Sequence, residues 1–218
     1  MRITAVVGSY RKAGVTDAIV YELLAAAREN GGEVRKVNLI DEKIDFCTNC
    51  RCCTQEAGSL RGACPIEDSM GSILDKLEAS DGFVLASPTN FGTVTALMKR
   101  FIERLICYGY WPWGRAIPEN RIQQPAKRAV VVTSCAAPAW MGRHMMSSIK
   151  VLKQAARVLG AANIDVLVVG KAAGSAEPEL SGAVRKRAGK LGRKLAGQRK
   201  EQRAADRRGT TSAHRNHG

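Results

Sequence analysis

Apolar residues along the chain follow two alternating patterns. Five short runs are almost continuously apolar and rich in β-branched residues, which is typical of strands buried on both faces of a sheet. Between and after these runs, apolar residues recur every three or four positions, which predicts amphipathic helices. The predicted strands cover residues 2–8, 33–39, 82–88, 128–134 and 164–170.

Polar residues suggest where several of the helices begin. Thr16 is the expected N-cap of the first helix and Thr93 that of the third, because a threonine hydroxyl can accept from a free amide of the first turn. The acidic residues Glu67 and Asp68 are expected to open the second helix, where negative charge is favoured.

The regular alternation of strand and helix predicts an α/β fold. Nearly continuous apolar strands indicate a parallel sheet with helices on both faces, that is, a three-layer sandwich. Five strands fit the doubly wound order 2-1-3-4-5. We expect one domain over residues 1–197 and a basic, disordered tail over residues 198–218.

The charge of +14 is concentrated at one end of the chain. From residue 185 onward the chain has twelve Lys and Arg but only two acidic residues, Glu201 and Asp206. Ten of the fourteen excess positive charges therefore lie in the last 34 residues. Such a block usually marks a solvated helix face and a tail, so we expect no more than weak, nonspecific binding to nucleic acid. The sequence has no apolar run of about 18 residues and no signal-peptide pattern, which predicts a cytoplasmic protein without a membrane segment.

In the order 2-1-3-4-5, ligands are expected at the loops after the first, third and fourth strands. The first of these loops, GSYRKAGVT, offers Ser9, Arg11 and Thr16 beside a helix N-terminus, a combination that suits a phosphate monoester. It is not a P-loop, since Val15 stands where lysine is required, and G-x-G-x-x-G is absent. A helix start with a surface arginine is the structural alternative.

The loop after the third strand has an unusual composition. SPTNFGT places Pro88, Thr89, Asn90, Phe91 and Gly92 between a strand and a helix. A rigid proline, two polar side chains, an aromatic ring and a glycine together suit a flat heteroaromatic ligand, because backbone amides can reach its polar edge.

Four segments together resemble a known family. GSYRKAGVT, CTNCRCC, ACPIEDSM and ASPTNFGTVTALMKRFIER are similar to the NADPH-dependent FMN reductase and iron-sulfur flavoprotein group, which has the flavodoxin-like fold. The resemblance is strong over residues 2–106. It implies that Ser9, Arg11, Val15 and Thr16 hold the FMN phosphate, that residues 88–92 line the isoalloxazine ring, and that Ser134 borders the flavin from the other side.

The resemblance also implies a homodimer or homotetramer with flavin sites near the interface. The insertion CYGYWPWGRAIPENRIQQP carries Trp111 and Trp113, residue types favoured at interfaces. The alternative is that these two side chains cap the core.

Five cysteines lie in the nineteen residues of FCTNCRCCTQEAGSLRGAC. Cys47, Cys50 and Cys53 have C-x2-C-x2-C spacing, and Cys64 follows after ten more residues. Four such thiolates could bind a [4Fe–4S] cluster or zinc, or could remain free or redox-active thiols. In the iron-sulfur flavoproteins the fourth cysteine comes sooner, and here Cys52 is extra. Cys107 and Cys135 are expected in the core, and His144 at the exposed start of a helix.

The sequence therefore predicts an FMN-dependent oxidoreductase that takes electrons from NAD(P)H and passes them to a small-molecule or protein acceptor. Its first alternative is an electron carrier with a [4Fe–4S] cluster on Cys47, Cys50, Cys53 and Cys64. A second alternative is a cysteine–zinc module whose basic tail binds nucleic acid. No catalytic acid or base is required by the residues.

Overall fold

A parallel sheet forms the centre of the molecule. The computed structural model describes residues 1–174 and 179–197. Its strands are β1 (Arg2–Val7), β2 (Glu33–Asn38), β3 (Gly82–Asn90), β4 (Thr93–Val94), β5 (Gly109–Tyr110), β6 (Glu119–Asn120), β7 (Lys127–Ser134) and β8 (Ala161–Val169). The parallel strands lie in the order β2-β1-β3-β7-β8, which confirms the predicted order 2-1-3-4-5.

Helices cover both faces of this sheet. They are α1 (Val15–Glu29), α2 (Met70–Glu78), α3 (Ala96–Arg104), α4 (Ala139–His144), α5 (Ser148–Val158) and α6 (Gly182–Ala196). Side chains of β1 alternate between two cores: Val6 packs with α2, α3 and α5, whereas Ala5 and Val7 pack with α1 and α6. This alternation follows from the pleat of a strand whose two faces are both buried.

Short elements were not predicted from the sequence. β4 pairs antiparallel with the end of β3, and β5 pairs with β6 to form a small hairpin, the 109–120 hairpin. Two-residue strands carry too little periodicity to be recognised. β3 also extends to Asn90, and β8 begins at Ala161, three residues earlier than predicted.

The predicted helix starts need correction. α1 has Gly14 as its N-cap, and Thr16 lies inside the helix with its side chain buried. Thr93 belongs to β4, and Thr95 caps α3 by accepting from the amide of Met98. α2 begins at Met70, after Glu67 and Asp68.

Two further predictions concern isolated residues. His144 is exposed as expected, but it ends α4 instead of starting a helix. Cys107 and Cys135 are buried, as predicted.

The structure tests two further predictions only in part. The disordered tail falls on residues 198–218, which lie outside the described part of the chain, so the division into a domain over 1–197 and a tail stays a prediction. Within residues 1–174 and 179–197, no helix is long and apolar enough to cross a membrane.

The contact between α1 and α6 generates the first testable prediction. A methyl group on Gly192 would collide with the carbonyl group of Leu23, whereas one on Gly189 would meet the end of the flexible Arg193 side chain and make an ordinary van der Waals contact with Ala26. Gly192→Ala should lower the free energy of unfolding by about 1–3 kcal/mol, because the two helices must separate. Urea denaturation measures this change.

Gly189→Ala is the matched control in the same helix. It should leave stability unchanged or raise it by up to about 1 kcal/mol through helix propensity. Equal stability of the two variants would contradict close packing at residue 192.

Candidate functional site

A cavity of about 380 Å³ opens at the carboxyl ends of β1, β3 and β7. This is the end of a doubly wound sheet at which ligands bind, and the volume lies in the range of small-molecule sites. The lining residues are Ser9, Tyr10, Arg11, Gly14, Val15, Thr16, Pro88, Thr89, Asn90, Ser134, Cys135, Ala136, Ala172 and Ala173. Eight of the ten predicted flavin-site residues are among them.

Ser9, Arg11 and Thr16 gather at one end of the cavity, beside the N-terminus of α1. The Ser9 hydroxyl accepts from the amide of Arg11 at 3.1 Å and so shapes the loop. The Thr16 hydroxyl lies 2.8 Å from that of Ser134, which joins α1 to the end of β7. Helix amides, two hydroxyls and a guanidinium make this end of the cavity suitable for an anion.

Thr95 fixes the position of the first loop against α3. Its buried hydroxyl donates to the carbonyl of Gly8 at 2.5 Å. Its amide donates to the hydroxyl of Ser87 at 3.1 Å, just before the cavity-lining Pro88. The loop after β1 and the last residues of β3 are therefore connected through one residue.

The predicted flavin loop, residues 88–92, lies partly in the cavity and partly outside it. Thr89 lines the cavity and its hydroxyl lies 3.1 Å from that of Thr133 and 2.8 Å from that of Ser148. Phe91 and Gly92 form the turn into β4 and are not among the lining residues. Phe91 is fully exposed and has a positive φ of 47°, which is uncommon for a residue with a side chain.

Several lining residues were not predicted as site residues. Ala172 and Ala173 follow β8, a strand whose loop was not expected to reach the site. They do so because the amide of Ala172 donates to the carbonyl of Cys135 at 2.9 Å. Only the position of Cys135 directly after Ser134 signalled its proximity to the cavity.

The cysteine-rich segment, residues 47–64, lies between β2 and α2. Cys53 is buried, Cys47 is half-buried, and Cys50, Cys52 and Cys64 are exposed. Left-handed backbone at Asn49 and Arg51, with φ of 55° and 60°, turns the chain sharply between the cysteines. The segment is thus an insertion into the α/β domain and not a separate zinc module.

Arg51 attaches this segment to the 109–120 hairpin. Its guanidinium lies between the rings of Trp111 and Trp113, 4.0 and 4.1 Å from their centroids. The same side chain donates to the carbonyl of Trp111 at 2.5 Å. Trp113 is 68% exposed, so it does not cap the core as one interpretation expected.

The ten-residue spacer before Cys64 is also anchored. Arg61 forms ion pairs with Asp75 at 2.5 Å and Glu78 at 2.9 Å on α2. The amide of Gly62 donates to the carbonyl of Cys107 at 2.8 Å. Gly62 also packs so tightly on Cys53 that a methyl group at residue 62 would collide with the Cys53 carbonyl. These contacts bring the fourth cysteine back to the other three.

The cysteines affect one another's protonation. Burial, and then the charges of Cys64, Cys47 and Cys50, raise the pKa of Cys53 to about 11. Hydrogen bonds from the Cys52 amide and the Thr48 hydroxyl lower the pKa of Cys50, while the hydrogen bond with Cys50 raises that of Cys52. In the described residues, however, no three Cys, His, Asp or Glu side chains are grouped closely enough to hold one metal ion.

Comparison with known proteins supports the fold and identifies a family. Residues 1–174 match the family model described as NADPH-dependent FMN reductase. The chain is 36% identical to an iron-sulfur flavoprotein of Archaeoglobus fulgidus over 112 aligned residues. The aligned region covers 51% of this chain and 49% of that protein. An iron-sulfur flavoprotein of Methanocaldococcus jannaschii is 36% identical over 104 residues, covering 48% of this chain and 51% of the relative. The chain thus spans about half the length of these relatives.

Solved structures share the fold at low sequence identity. An NAD(P)H:quinone oxidoreductase from Methanothermobacter marburgensis superposes with a TM-score of 0.64 and 18% identity, covering 89% of this chain and 96% of that one. An FMN-dependent NADH-azoreductase from Bacillus anthracis, solved with FMN, gives a TM-score of 0.65 and 13% identity, covering 90% and 100%.

The different pKa values of the cysteines predict an order of alkylation. In reduced, metal-free protein at pH 8, Cys50 should react with iodoacetamide faster than Cys52, because both are exposed and Cys50 has the lower pKa. Cys53 should be slower than an ordinary thiol by roughly a hundredfold from its pKa alone, since only the thiolate reacts. Mass spectrometry of the digested protein gives the rate at each site.

Raising the pH should narrow these differences, because every thiol then approaches full ionisation. Reaction of Cys53 at the rate of the exposed cysteines would contradict the arrangement of the segment.

Proposed function

The chain belongs to the NADPH-dependent FMN reductase family, and from this premise we propose that it is an FMN-dependent oxidoreductase that takes electrons from NADPH or NADH. The acceptor is a small molecule or a protein. The observation that carries the proposal is one cavity that unites four chain segments, at the ends of β1, β3, β7 and β8, at the ligand-binding edge of the sheet.

The residues that line the cavity support FMN as its ligand. Ser9, Arg11 and Thr16 would hold the phosphate, together with Val15 at the first turn of α1. Pro88, Thr89 and Asn90 would lie along the isoalloxazine ring, with Phe91 and Gly92 at the adjoining turn and Ser134 on the other side. When bound, FMN supplies the hydride and electron chemistry.

The main contribution of the protein is to bind and orient the cofactor. Within the described chain, the cavity is lined by no Asp, Glu or His. The buried hydroxyls of Thr16 and Ser134 already pair with each other, so their positions are fixed before a ligand enters. Such fixed polar groups orient a cofactor at low entropic cost.

A second function is favoured by a separate observation, the mutual proximity of Cys47, Cys50, Cys53 and Cys64. Cys47, Cys50 and Cys64 are close enough to Cys53 to contribute electrostatically to its raised pKa. The described residues nevertheless contain no group of ligands compact enough to hold a single metal ion. A [4Fe–4S] cluster binds each cysteine to a different iron, so its thiolates lie farther apart than four thiolates on one zinc ion. We propose that these four cysteines hold such a cluster, and that the protein transfers electrons between flavin and cluster.

We also propose a homodimer or homotetramer. The 109–120 hairpin supports this, because Trp113 and Ile117 are 68% and 72% exposed on it. Exposed large apolar side chains of this kind are typical of protein interfaces.

Removal of the Arg11 charge tests the flavin site. We expect purified protein to bind FMN and to oxidise NADPH or NADH in the presence of a quinone or free flavin. Arg11→Ala should weaken FMN binding by about 10- to 100-fold, because a hydrogen bond to a charged group is lost. Fluorescence quenching of FMN measures the dissociation constant.

Lys12→Ala is the matched control, since Lys12 lies next in the chain, pairs with Asp41 on the surface and does not line the cavity. It should bind FMN as the wild type does. Wild-type protein that cannot be loaded with FMN would overturn the proposed function.

Serine substitutions test the cluster. Cys53→Ser should lose most bound iron and acid-labile sulfide, because serine replaces a thiolate ligand at a buried position. Cys52→Ser should keep both, since Cys52 is the cysteine outside the four-residue set. Iron and sulfide are determined per chain after anaerobic reconstitution.

Equal iron content in the two variants would contradict the assignment of ligands. FMN binding should be unchanged in both, which separates loss of the cluster from loss of the fold.

A further inference from the structure

Arg104 is a buried arginine at the last position of α3. Its side chain is 3% exposed, and that of its ion-pair partner, Asp68, is 0% exposed. One terminal nitrogen of Arg104 donates to Asp68 at 2.6 Å and to the backbone carbonyl of Asp45 at 2.9 Å. A guanidinium so enclosed requires acceptors for its donors. The surrounding protein therefore fixes its position.

The other terminal nitrogen of Arg104 faces a cysteine. It lies 3.6 Å from the sulfur of Cys64 and 3.3 Å from the second carboxylate oxygen of Asp68. Asp68 also accepts from the amides of Asp45 at 2.8 Å and Met70 at 2.9 Å. The carboxylate thus holds the guanidinium in place on one side, and the Cys64 sulfur is an acceptor on the other.

Cys64 is the cysteine whose participation the sequence spacing leaves open. The contacts of Arg61 with α2 and of Gly62 with Cys53 return the spacer to the other cysteines. Arg104 contacts the sulfur at the end of that spacer. The fourth cysteine is consequently held by a group from another part of the chain, forty residues away.

On the basis of the proposed cluster, we propose that Arg104 is a positioning residue that holds the Cys64 sulfur at the fourth ligand position and raises the reduction potential of the bound cluster. Reduction adds one electron and makes the cluster more negative. A hydrogen bond to a ligand sulfur and a nearby positive charge both favour that reduced form.

A purely structural role makes a different prediction. The ion pair between Arg104 and Asp68 joins α3 to the segment before α2, and its loss would lower stability whatever Cys64 does. A structural contact would leave the potential of a loaded cluster unchanged. The potential and the electron paramagnetic resonance (EPR) spectrum of the reduced cluster therefore separate the two roles.

The main test is the double variant Arg104→Gln with Asp68→Asn, which removes both charges and leaves no uncompensated buried ion. Lys99→Gln is the control, because it removes one positive charge from an exposed position on the same helix. Because the two substitutions together leave the net charge unchanged, we expect loss of the hydrogen bond to the Cys64 sulfur to make one-electron reduction at least tenfold less favourable, which is about 59 mV. Lys99→Gln should match the wild type.

The outcomes separate this inference from the proposed function. Wild-type protein that takes up no iron and sulfide overturns both. A loaded wild type together with a fully loaded double variant of unchanged potential and EPR spectrum overturns only the role of Arg104. A double variant that keeps its circular dichroism spectrum and FMN binding but loses iron supports the positioning role.

Arg104→Lys keeps the inference testable if the double variant does not fold. Lysine preserves the charge but not the planar fork that reaches Asp45, Asp68 and Cys64 together. We expect a smaller downward shift of potential and a changed EPR line shape. Wild-type values for both in this variant overturn the proposal.

Discussion

The hydroxyl of Thr95 connects the parts of the structure on which the flavin cavity depends. It accepts from the amide of Met98, in the first turn of α3, and donates to the carbonyl of Gly8, directly after β1. The Thr95 amide meanwhile donates to the hydroxyl of Ser87, near the end of β3. All of these groups are buried, where an unmade hydrogen bond is costly. One residue thus sets the distance between the anion-binding loop and the β3 turn.

Much of this arrangement could be predicted from local sequence. Strands with apolar residues on both faces belong to a sheet that helices cover on both sides, and the topology brings the carboxyl ends of such strands together. This is why three segments that are far apart in sequence, represented by Ser9 and Arg11, by Thr89 and by Ser134, were expected near one another. The helix caps were harder. Thr16 looks like a cap locally, but its hydroxyl contacts Ser134, 118 residues away.

The cysteine segment shows where spacing alone stops being informative. Ten residues between Cys53 and Cys64 permit many separations of the two sulfurs, and sequence motifs cannot choose among them. The choice is made by long-range contacts: Arg61 with α2, Gly62 against Cys53, and Arg51 between two tryptophans of the 109–120 hairpin. Each partner is ordinary in sequence and becomes meaningful only once the fold is known.

Helix α3 joins the two candidate sites mechanically. Thr95 at its start contacts the loop of the flavin cavity, and Arg104 at its end contacts Cys64. Nine residues at 1.5 Å each give the helix a length of about 14 Å. Because both ends are anchored by buried polar contacts, the helix cannot shift at one site without disturbing the other. The separation of the flavin cavity and the cysteine segment is therefore a property of the fold and does not depend on what either site binds.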